Sequence, residues 1–445
     1  MKKYVIVMTT IFFVQLTNAQ QTSMRLSLQQ AIDYAIENSY NSAISKKEIV
    51  AAKKQQWETT TIGLPQIESR IDYQNFLKQQ VTLFDTNGDG INEEFTFGTQ
   101  QNINASVTVS QLLFDGSYLV GLQSAKTFLK ISEQANEKSE LLTREAVINA
   151  YGNVLISEKS IEILENNRKV LQKNLSDVRK IFENGLNEEE DIEQLEITLG
   201  NTESQLNSVR RLKTIAYQML NMTMGNAIDV ELTLTDTLDS LTQTNISFEL
   251  ISQSFDVNNH IDFRIAQNDR ESKRLLMRYE QSQALPSLSA FLNLGSQANS
   301  DTFSFLDRNQ QWFDYSLLGV SLKVPIFSSL KRSAKTQRAK IDLDIADIKL
   351  KEIRAKLNLQ VKKSKSDYQL SIENYYTAKK NLALAERIEK KQQIKFFEGL
   401  SSSFDLAQAQ NQLYSQQQKF IQSMLDVVAK KATLENALNV PLNQY

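Results

Sequence analysis

The sequence predicts a mainly α-helical chain that carries one structural plan twice, together with a small number of β-strands. Only 13 glycines and 4 prolines occur in 445 residues, while 23% of the residues are charged, which is the composition of long, solvent-exposed helices. Apolar residues follow the helical period over long segments and alternate with polar residues over shorter ones. Segments of the two halves also match in order and spacing, so the fold class is duplicated helix-strand-strand-helix-helix units.

The N-terminus reads as a signal peptide over residues 1–19. Lys2 and Lys3 precede an apolar run from Tyr4 to Leu16, and cleavage is expected near Ala19. The alternative is a membrane anchor, but a spanning helix needs about 20 apolar residues and this run is shorter. We therefore expect an exported chain. No later segment is apolar enough to span as a helix, so insertion into a membrane would require strands.

Each half then begins with a helical pattern that a proline stops. The first pattern runs from Leu28 to Ile62 and stops before Pro65; the second runs from Phe248 to Leu285 and stops at Pro286. Both prolines lie in a Leu-Pro pair that is followed, two residues later, by an apolar residue. The two halves therefore change from helix to strand at corresponding places.

After each proline the apolar residues alternate with polar ones, which predicts four amphipathic strands in two hairpins. The strands are expected at about 65–76 and 101–114, and at about 286–299 and 312–327. An ordinary half-buried sheet would alternate in the same way, yet little of the chain remains to cover its apolar face. Four strands cannot close a barrel, which takes about eight. Several chains would have to pool their strands, and both a dimer and a trimer satisfy that requirement.

A very long helix follows each strand pair. The two patterns run from Ser117 to Asn184 and from Leu330 to Glu398, roughly 100 Å each at 1.5 Å per residue. The chain then returns through shorter helices at 188–222 and 402–436. Each unit therefore ends in a long antiparallel helical hairpin.

The tips of the two hairpins match one another. Phe182, Gly185 and Asp191 correspond at one constant spacing to Phe396, Gly399 and Asp405, and a leucine follows each glycine. Glycine accepts the positive φ that ends a helix. We expect Phe182 and Phe396 to be packing residues.

These features divide the chain into a first repeat at 20–225 with its tip near 185, a linker or equatorial segment at 226–246, and a second repeat at 247–445 with its tip near 399.

With these motifs in place, the chain resembles the TolC-type outer-membrane efflux family over roughly Leu26 to Leu442. The resemblance is carried by the duplicated plan, both proline junctions, both Gly-Leu tips and three short motifs: Leu113-Phe114-Asp115-Gly116, Val324-Pro325-Ile326-Phe327 and Leu220-Asn-Met-Thr-Met-Gly225. It implies a homotrimer in the outer membrane, a twelve-stranded transmembrane barrel and a periplasmic tunnel of helices. It also implies a periplasmic adaptor protein and an energised inner-membrane transporter as partners.

The resemblance further implies which residues act at the hairpin tips. The tunnel constriction at the periplasmic end falls on Asp405, Gln408 and Asp191, and the contact with the adaptor falls on the tips. The tip residues are Gly185, Leu186, Gly399, Leu400 and Ser401. Ser401 stands where the best-known members carry an arginine, and Leu112 stands where many have the proline seen here at Pro325. The alternative for both aspartates is an acidic residue placed to favour the start of a helix.

A separate motif could bind calcium in the loop 85–96. Asp85, Asn87 and Asp89 alternate, and Gly90 permits a sharp turn, as in calcium loops. Thr96 occupies the twelfth position in place of a bidentate glutamate, so a polar β-turn explains the motif equally well. No other cofactor is expected.

The composition excludes several classes of function. A net charge of −2 argues against nucleic-acid binding, and the absence of cysteine together with the single His260 argues against an enzyme built on thiol or multi-histidine chemistry. We therefore expect a passive exit duct of a tripartite efflux or secretion system. The alternative is a periplasmic coiled-coil adaptor or scaffold of an export system. Four aromatic residues could lie at a membrane interface: Trp57, Trp312, Tyr315 and Tyr73.

Overall fold

The computed structural model describes residues 24–84, 88, 90, 93–185 and 188–440. The predicted signal peptide lies outside the described residues. The described residues fall into two compact units that each draw on both repeats. The first, here called the helical unit, takes them from segments 1–43, 140–254 and 361–445; the second, the sheet unit, takes them from 44–139 and 255–360.

The chain is mainly helical, as predicted, and the long helices lie where the apolar pattern placed them. In chain order the elements are β1 Met24–Leu26, α1 Leu28–Asn38, α2 Tyr40–Thr61, β2 Gln66–Asn75, β3 Val81–Phe84, β4 Glu93–Thr96, β5 Gln101–Asp115, α3 Gly116–Glu183, α4 Glu189–Met224, β6 Leu232–Leu234, α5 Leu238–Thr244, α6 Glu249–Ser252, a 3₁₀ turn Val257–Asn259, α7 Ile261–Ser282, β7 Ser287–Ser300, β8 Phe313–Lys323, α8 Lys331–Phe397 and α9 Ser403–Leu438.

The prediction of one continuous helix from Leu28 to Ile62 is wrong, because the chain breaks at Ser39. Ser39 has extended backbone angles, φ −61° and ψ 149°, although its N–H still donates to the Ala35 carbonyl. The break lies against Gly225, which follows α4. A Cβ atom on Gly225 would stand 2.2 Å from the Asn38 carbonyl oxygen. The end of α1 and the end of α4 therefore meet backbone to backbone.

The predicted helix from Phe248 to Leu285 is also interrupted. Regular helix begins only at Ile261, after the short α6 and one 3₁₀ turn. The Asp256 carboxylate accepts a hydrogen bond from the Asn258 N–H at 3.0 Å, and His260 Nδ1 accepts one from the Asp262 N–H at 3.1 Å. These local side-chain bonds compete with helical bonds and start α7 at His260.

In the helical unit, the segment predicted to be a linker contributes to the core. Its strand β6 pairs in parallel with β1, and its helix α5 begins with a capping box at Thr237. Tyr151 of α3, fully buried, donates to the Asp236 carboxylate at 3.0 Å, and Asp236 accepts the Leu28 N–H at 2.7 Å. Burial, followed by the Asp236 charge, raises the pKa of Tyr151. Thus the segment 226–246, predicted as a linker or equatorial segment, is tied to α1 and α3 and packs within the helical unit.

The sheet unit contains a four-stranded antiparallel sheet in the order β2-β5-β7-β8. Strands β2 and β5 form one predicted pair and β7 and β8 the other, while pairing of β5 with β7 joins them. A second antiparallel pair, β3 with β4, was not predicted. Strand β8 ends at Lys323, earlier than the predicted 327, because Pro325 has no N–H to donate to a neighbouring strand.

Candidate functional site

Both hairpin tips turn at glycines in the left-handed conformation. Gly185 has φ +72° and Gly399 has φ +71°, and a Cβ atom at either position would meet nothing within 4 Å. At the second tip, the Gly399 N–H donates to the Phe396 carbonyl at 3.0 Å and the Leu400 N–H donates to the Lys395 carbonyl at 2.8 Å. This pair of bonds is the Schellman motif. The predicted tip residue Leu186 lies outside the described residues.

Four helices of the helical unit converge on one apolar cluster near the tips, here called the tip cluster. Its buried members are Leu171, Leu175, Val178, Leu195, Phe396 and Leu406. Phe396 therefore packs as predicted, whereas Phe182 remains 39% exposed and is not a member. Because α3, α4, α8 and α9 all contribute, the cluster fixes one hairpin against the other.

Polar layers interrupt the apolar seams between these helices. Asn174 of α3 accepts a hydrogen bond from Gln393 of α8 at 3.0 Å, and Asn167 of α3 donates to Gln417 of α9 at 2.8 Å. The Asn174 Nδ2 group has no hydrogen-bond partner among the described residues, so only one end of this amide is satisfied. A polar pair at such a seam favours one register of two helices over others. The hairpins of one chain are thereby aligned along their length.

Asp405 lies in the first turn of α9 and closes a capping box. Its N–H donates to the Ser402 hydroxyl at 3.2 Å, and its carboxylate accepts from the Ser402 hydroxyl at 2.9 Å, the Ser402 N–H at 3.3 Å and the Ser401 hydroxyl at 3.3 Å. These bonds, with the Ser402 side chain contributing most, hold the pKa of Asp405 below its ordinary value. The carboxylate is exposed, as is Gln408 one turn later.

Asp191 occupies the corresponding turn of α4 in the first repeat. It follows Glu189 and Glu190, which makes this first turn strongly acidic, and its side chain is half-buried. Glu188 provides no side-chain cap. The sequence matches the two tips closely, yet only the second has a side-chain capping box among the described residues.

The strand register of the sheet unit places most apolar residues of the four strands on one face, which also carries Ser69, Ser296, Ser316 and Asp314, while Phe291, Phe313 and Leu317 lie on the other face. Val109 lies opposite Ile67 on one side and Leu292 on the other, and Leu292 lies opposite Leu318. On this apolar face the apolar residues are Ile67, Ile71, Tyr73, Ile103, Ala105, Val107, Val109, Leu288, Ala290, Leu292, Leu294, Leu318, Val320 and Leu322. Leu318 is 76% exposed and Ile67 is 71% exposed.

The opposite face is mainly polar. It carries Glu68, Arg70 and Asp72 on β2 and asparagine, serine and threonine side chains on β5. Tyr315, predicted to be an interfacial aromatic, lies on this polar face over Gly295 and donates to Asn104 at 3.0 Å. The sheet therefore separates an apolar surface from a polar one.

A profile of the outer membrane efflux protein family matches residues 73–226 and 256–440. The chain belongs to this family. The resemblance inferred from the sequence motifs is thereby confirmed. None of the curated proteins compared with this chain matches it.

Solved structures of outer-membrane channels share the fold of this efflux protein. CusC is 15% identical with a TM-score of 0.75, and the match covers 96% of this chain and 95% of CusC. VceC from Vibrio cholerae is 14% identical with a TM-score of 0.70, covering 92% and 95%. The open-state MtrE channel of Neisseria gonorrhoeae is 15% identical with a TM-score of 0.68, covering 92% and 88%. CusC forms a transmembrane channel, and MtrE is an outer-membrane channel.

Two further observations concern membranes and metals. Among the described residues, the efflux protein contains no helix with the length and apolar character needed to cross a bilayer. The predicted calcium ligands Asp85, Asn87 and Asp89 lie outside the described residues. Of that loop, Gly88 and Gly90 are described, with φ of +78° and +81°. Elsewhere in the described chain no group of three or more His, Asp or Glu residues is placed to hold a metal ion.

The helical unit also contains a buried ionic group that the sequence analysis missed. Arg144 of α3 forms an ion pair with Glu435 of α9, and Lys431 lies 3.6 Å from the second Glu435 oxygen. The side chains of Arg144 and Glu435 are 6% and 3% exposed. Burial raises the pKa of Glu435, although both cations oppose the shift. The sequence contains no local signal for this ionic group, because Arg144 and Glu435 lie 291 residues apart and meet only in the folded chain.

Proposed function

We propose that this efflux protein is the passive outer-membrane exit duct of a tripartite system, assembled as a homotrimer. Its sheets would combine into a twelve-stranded barrel, and its helical hairpins would form a periplasmic tunnel. A periplasmic adaptor would dock at the hairpin tips, and an inner-membrane transporter would supply the energy. The observation that carries this proposal is the continuous, exposed apolar face of a sheet whose two outer strands have unpaired edges.

The unpaired edges of the sheet explain why one chain is not sufficient to form a closed barrel. Among the described residues, β2 and β8 each pair on one side, so the other side of each carries N–H and C=O groups without a strand partner. In lipid no water can satisfy these groups. Pairing β2 of one copy with β8 of the next removes both edges and turns every apolar face outwards.

The polar face favours three copies over two. Eight strands enclose an interior that side chains fill, whereas a larger barrel leaves an aqueous channel. A filled interior would bury Glu68, Arg70 and Asp72 of each copy, and burying charges is costly. Twelve strands leave these side chains in water. The same polar lining suits a duct.

Disulfide trapping tests the pairing directly, because the natural chain has no cysteine. Ser69 of β2 would be replaced by Cys and combined, one at a time, with Cys at positions 316–322 of β8. We expect disulfide-linked multimers with a period of two residues, since alternate residues share a face. The matched control is Ser69→Cys with Val107→Cys, neighbours within one chain, which should give no multimer. Absence of multimers at every β8 position would contradict the closed barrel.

At the other end, we propose that Asp405 and Gln408 line the tunnel constriction. Both are exposed in the single chain, and three copies would place three carboxylates around one axis, which selects for cations. The exposed Leu400 and Phe404, 73% and 68% accessible, would meet the adaptor. Asp191 would tie adjacent hairpins together through a partner other than the arginine that Ser401 replaces.

Single-channel recording in planar bilayers tests the constriction. Asp405→Asn should reduce the cation-to-anion permeability ratio and weaken block by a trivalent cation. Ser402→Ala removes the same capping box but leaves the charge, so it should retain selectivity and serve as the control. Asp191→Ala should raise the resting conductance. Unchanged selectivity in Asp405→Asn would show that this carboxylate does not line the constriction.

A further inference from the structure

The connection between β8 and α8, residues 324–330, exposes an unusual amount of apolar surface; we call it the second junction. Ile326 is 89% exposed, Phe327 81%, Leu330 75% and Val324 55%. Val324 and Ile326 continue the alternation of the apolar face beyond the last paired residue, Lys323. The apolar face of the sheet therefore extends past its hydrogen-bonded part.

The backbone of the second junction holds this surface outwards at a conformational cost. Ser329 has φ +49° and Leu330 has φ +65°, and two consecutive non-glycine residues in the left-handed region are uncommon. Arg332 stabilises the turn by donating to the Pro325 carbonyl at 2.9 Å and the Ile326 carbonyl at 3.2 Å. The turn is thus a defined structure that presents apolar side chains to its surroundings.

Cations flank this apolar surface in the sequence. They are Lys323 at the end of β8 and Lys331, Arg332, Lys335, Arg338 and Lys340 in α8, whose first acidic residue is Asp342. Lys331, Lys335 and Arg338 share one side of the helix by their spacing. Lys335 lies 3.7 Å from Glu280. Asp115 lines the same cavity as Lys323 and Arg332, but its carboxylate already accepts bonds from Ser117 and Tyr118.

The strand-to-helix junction of the first repeat is less apolar at its surface and has no cations close to it in sequence. Strand β5 passes directly into α3 at Asp115, and Leu113 and Phe114 are 54% and 42% exposed. The first cation of α3 is Lys126. The second junction has therefore acquired a combination of apolar and cationic residues that the duplicated plan does not require.

We propose that the second junction binds the periplasmic leaflet of the outer membrane. Ile326, Phe327 and Leu330 would insert among the acyl chains, while Lys331 and Arg338 would contact the phosphates of anionic phospholipids. Apolar side chains flanked by cations are the arrangement that binds an anionic lipid surface. The inference rests on the proposed function, because it requires the sheet to lie in the bilayer.

Lipid is favoured over a second copy of this chain by the charge of the surface. If β2 of the next copy pairs with β8, the end of its α2 and the start of its β2 lie beside this junction. Within residues 57–68 the acidic side chains are Glu58 and Glu68, which are fewer carboxylates than the six cations named above. An anionic leaflet supplies a continuous layer of phosphates at the edge of the acyl chains.

Tryptophan fluorescence in proteoliposomes tests the inference. In a full-length background with Trp57→Phe and Trp312→Phe, a single reporter would be introduced as Phe327→Trp. Controls are Leu318→Trp on the apolar face and Leu113→Trp in the first junction. Vesicles would contain phosphatidylcholine and phosphatidylglycerol, with bromine on the chains of one lipid or the other at equal mole fraction.

We expect Phe327→Trp to be quenched at least twofold more by brominated phosphatidylglycerol than by brominated phosphatidylcholine. Leu318→Trp and Leu113→Trp should show no such preference. Adding Lys331→Gln and Arg338→Gln to Phe327→Trp should abolish the preference, while the same pair added to Leu318→Trp should leave its quenching unchanged.

Three results would overturn the inference. Quenching of Leu318→Trp without quenching of Phe327→Trp would mean that protein covers the junction, and the proposed function would stand. Equal quenching of Phe327→Trp by both lipids would show that the second junction does not prefer anionic phospholipid. Quenching at neither position would contradict the proposed function itself, since the sheet would then lie outside the bilayer.

Discussion

Gly225 is expected to be the least replaceable glycine among those that end helices in this protein. Its φ is +88°, so alanine would occupy the left-handed region at a cost of roughly 1–2 kcal/mol. A Cβ atom would also stand 2.2 Å from the Asn38 oxygen, 2.8 Å from the Asn38 carbonyl carbon and 2.9 Å from the Ser39 Cα. All three are backbone atoms, and forcing them apart costs about 1–3 kcal/mol. Gly225→Ala should therefore destabilise the protein by about 2–5 kcal/mol.

Gly399 provides the matched control. Its φ of +71° imposes a similar conformational cost, but a Cβ atom there would meet nothing within 4 Å. Gly399→Ala should thus cost about 1–2 kcal/mol. Asparagine tolerates the left-handed region, so Gly399→Asn should be nearly neutral. Gly225→Asn should stay strongly destabilising, because its Cβ atom makes the same clash.

The measurement is a urea titration of the purified protein in detergent, followed by far-UV circular dichroism. The difference between the two alanine variants isolates the steric part of the cost. If Ala at 225 costs no more than Ala at 399, the contact between α1 and α4 is not as tight as described. If Gly225→Asn were nearly as stable as the natural protein while Gly225→Ala was not, the left-handed backbone conformation alone, and not the steric clash, would account for the cost.

Three other predictions concern charged groups. Arg144→Leu should lower the free energy of unfolding by about 3–5 kcal/mol, because it leaves Glu435 buried with reduced compensation, and adding Glu435→Leu should recover most of the loss in the same urea titration. The pKa of Glu435 is raised above its ordinary 4.5, so the folded state binds the Glu435 proton more tightly than the unfolded state does. The free energy of unfolding, measured relative to Glu435→Gln, should therefore fall as pH rises from about 4.5 through the folded pKa. A rise over that range would contradict the prediction. Ser402→Ala should move the pKa of Asp405 up towards its ordinary 3.8, which an NMR titration would measure. In the natural protein, the stability that Asp405 contributes is present above its ordinary pKa of 3.8 and is lost as pH falls through the lower folded pKa. An unchanged pKa in Ser402→Ala would show that the capping bonds do not cause the lowering.

The sequence predicted the long elements well because their signals are repeated many times. Helix α3 contains 68 residues and helix α8 contains 67, so one residue that departs from the helical pattern cannot change the assignment of the segment as helix. The four strands of the sheet alternate over ten or more residues each and were placed within a few residues of their ends. The extent of β8 was overestimated because Val324 and Ile326 keep the alternation after hydrogen bonding has ended.

Elements that depend on contacts distant in sequence were missed. The break at Ser39 coincides with the close approach of Gly225, a contact distant in sequence. The Ser39 hydroxyl also accepts the Ser42 N–H at 3.3 Å as the N-cap of α2, a local signal that the prediction missed. Strand β6 has three residues and exists because β1 lies beside it. The buried pair of Arg144 and Glu435 is invisible for the same reason. By contrast, the capping box at Ser402 and Asp405 is a local Ser-x-x-Asp pattern that the sequence does contain.

The two repeats differ most where the proposed duct meets something else. At the tips, Ser402 caps the second hairpin with a side chain while Glu188 does not cap the first. At the strand-to-helix junctions, the second repeat exposes more apolar surface than the first and carries cations that the first junction lacks. The hairpin helices match closely in length, with 68 and 67 residues in α3 and α8 and 36 in each of α4 and α9, since each must pack against its counterpart in the same way. Divergence concentrated at the two ends is what a duplicated chain would show if packing constrained its middle and different partners acted on its tips and its junctions.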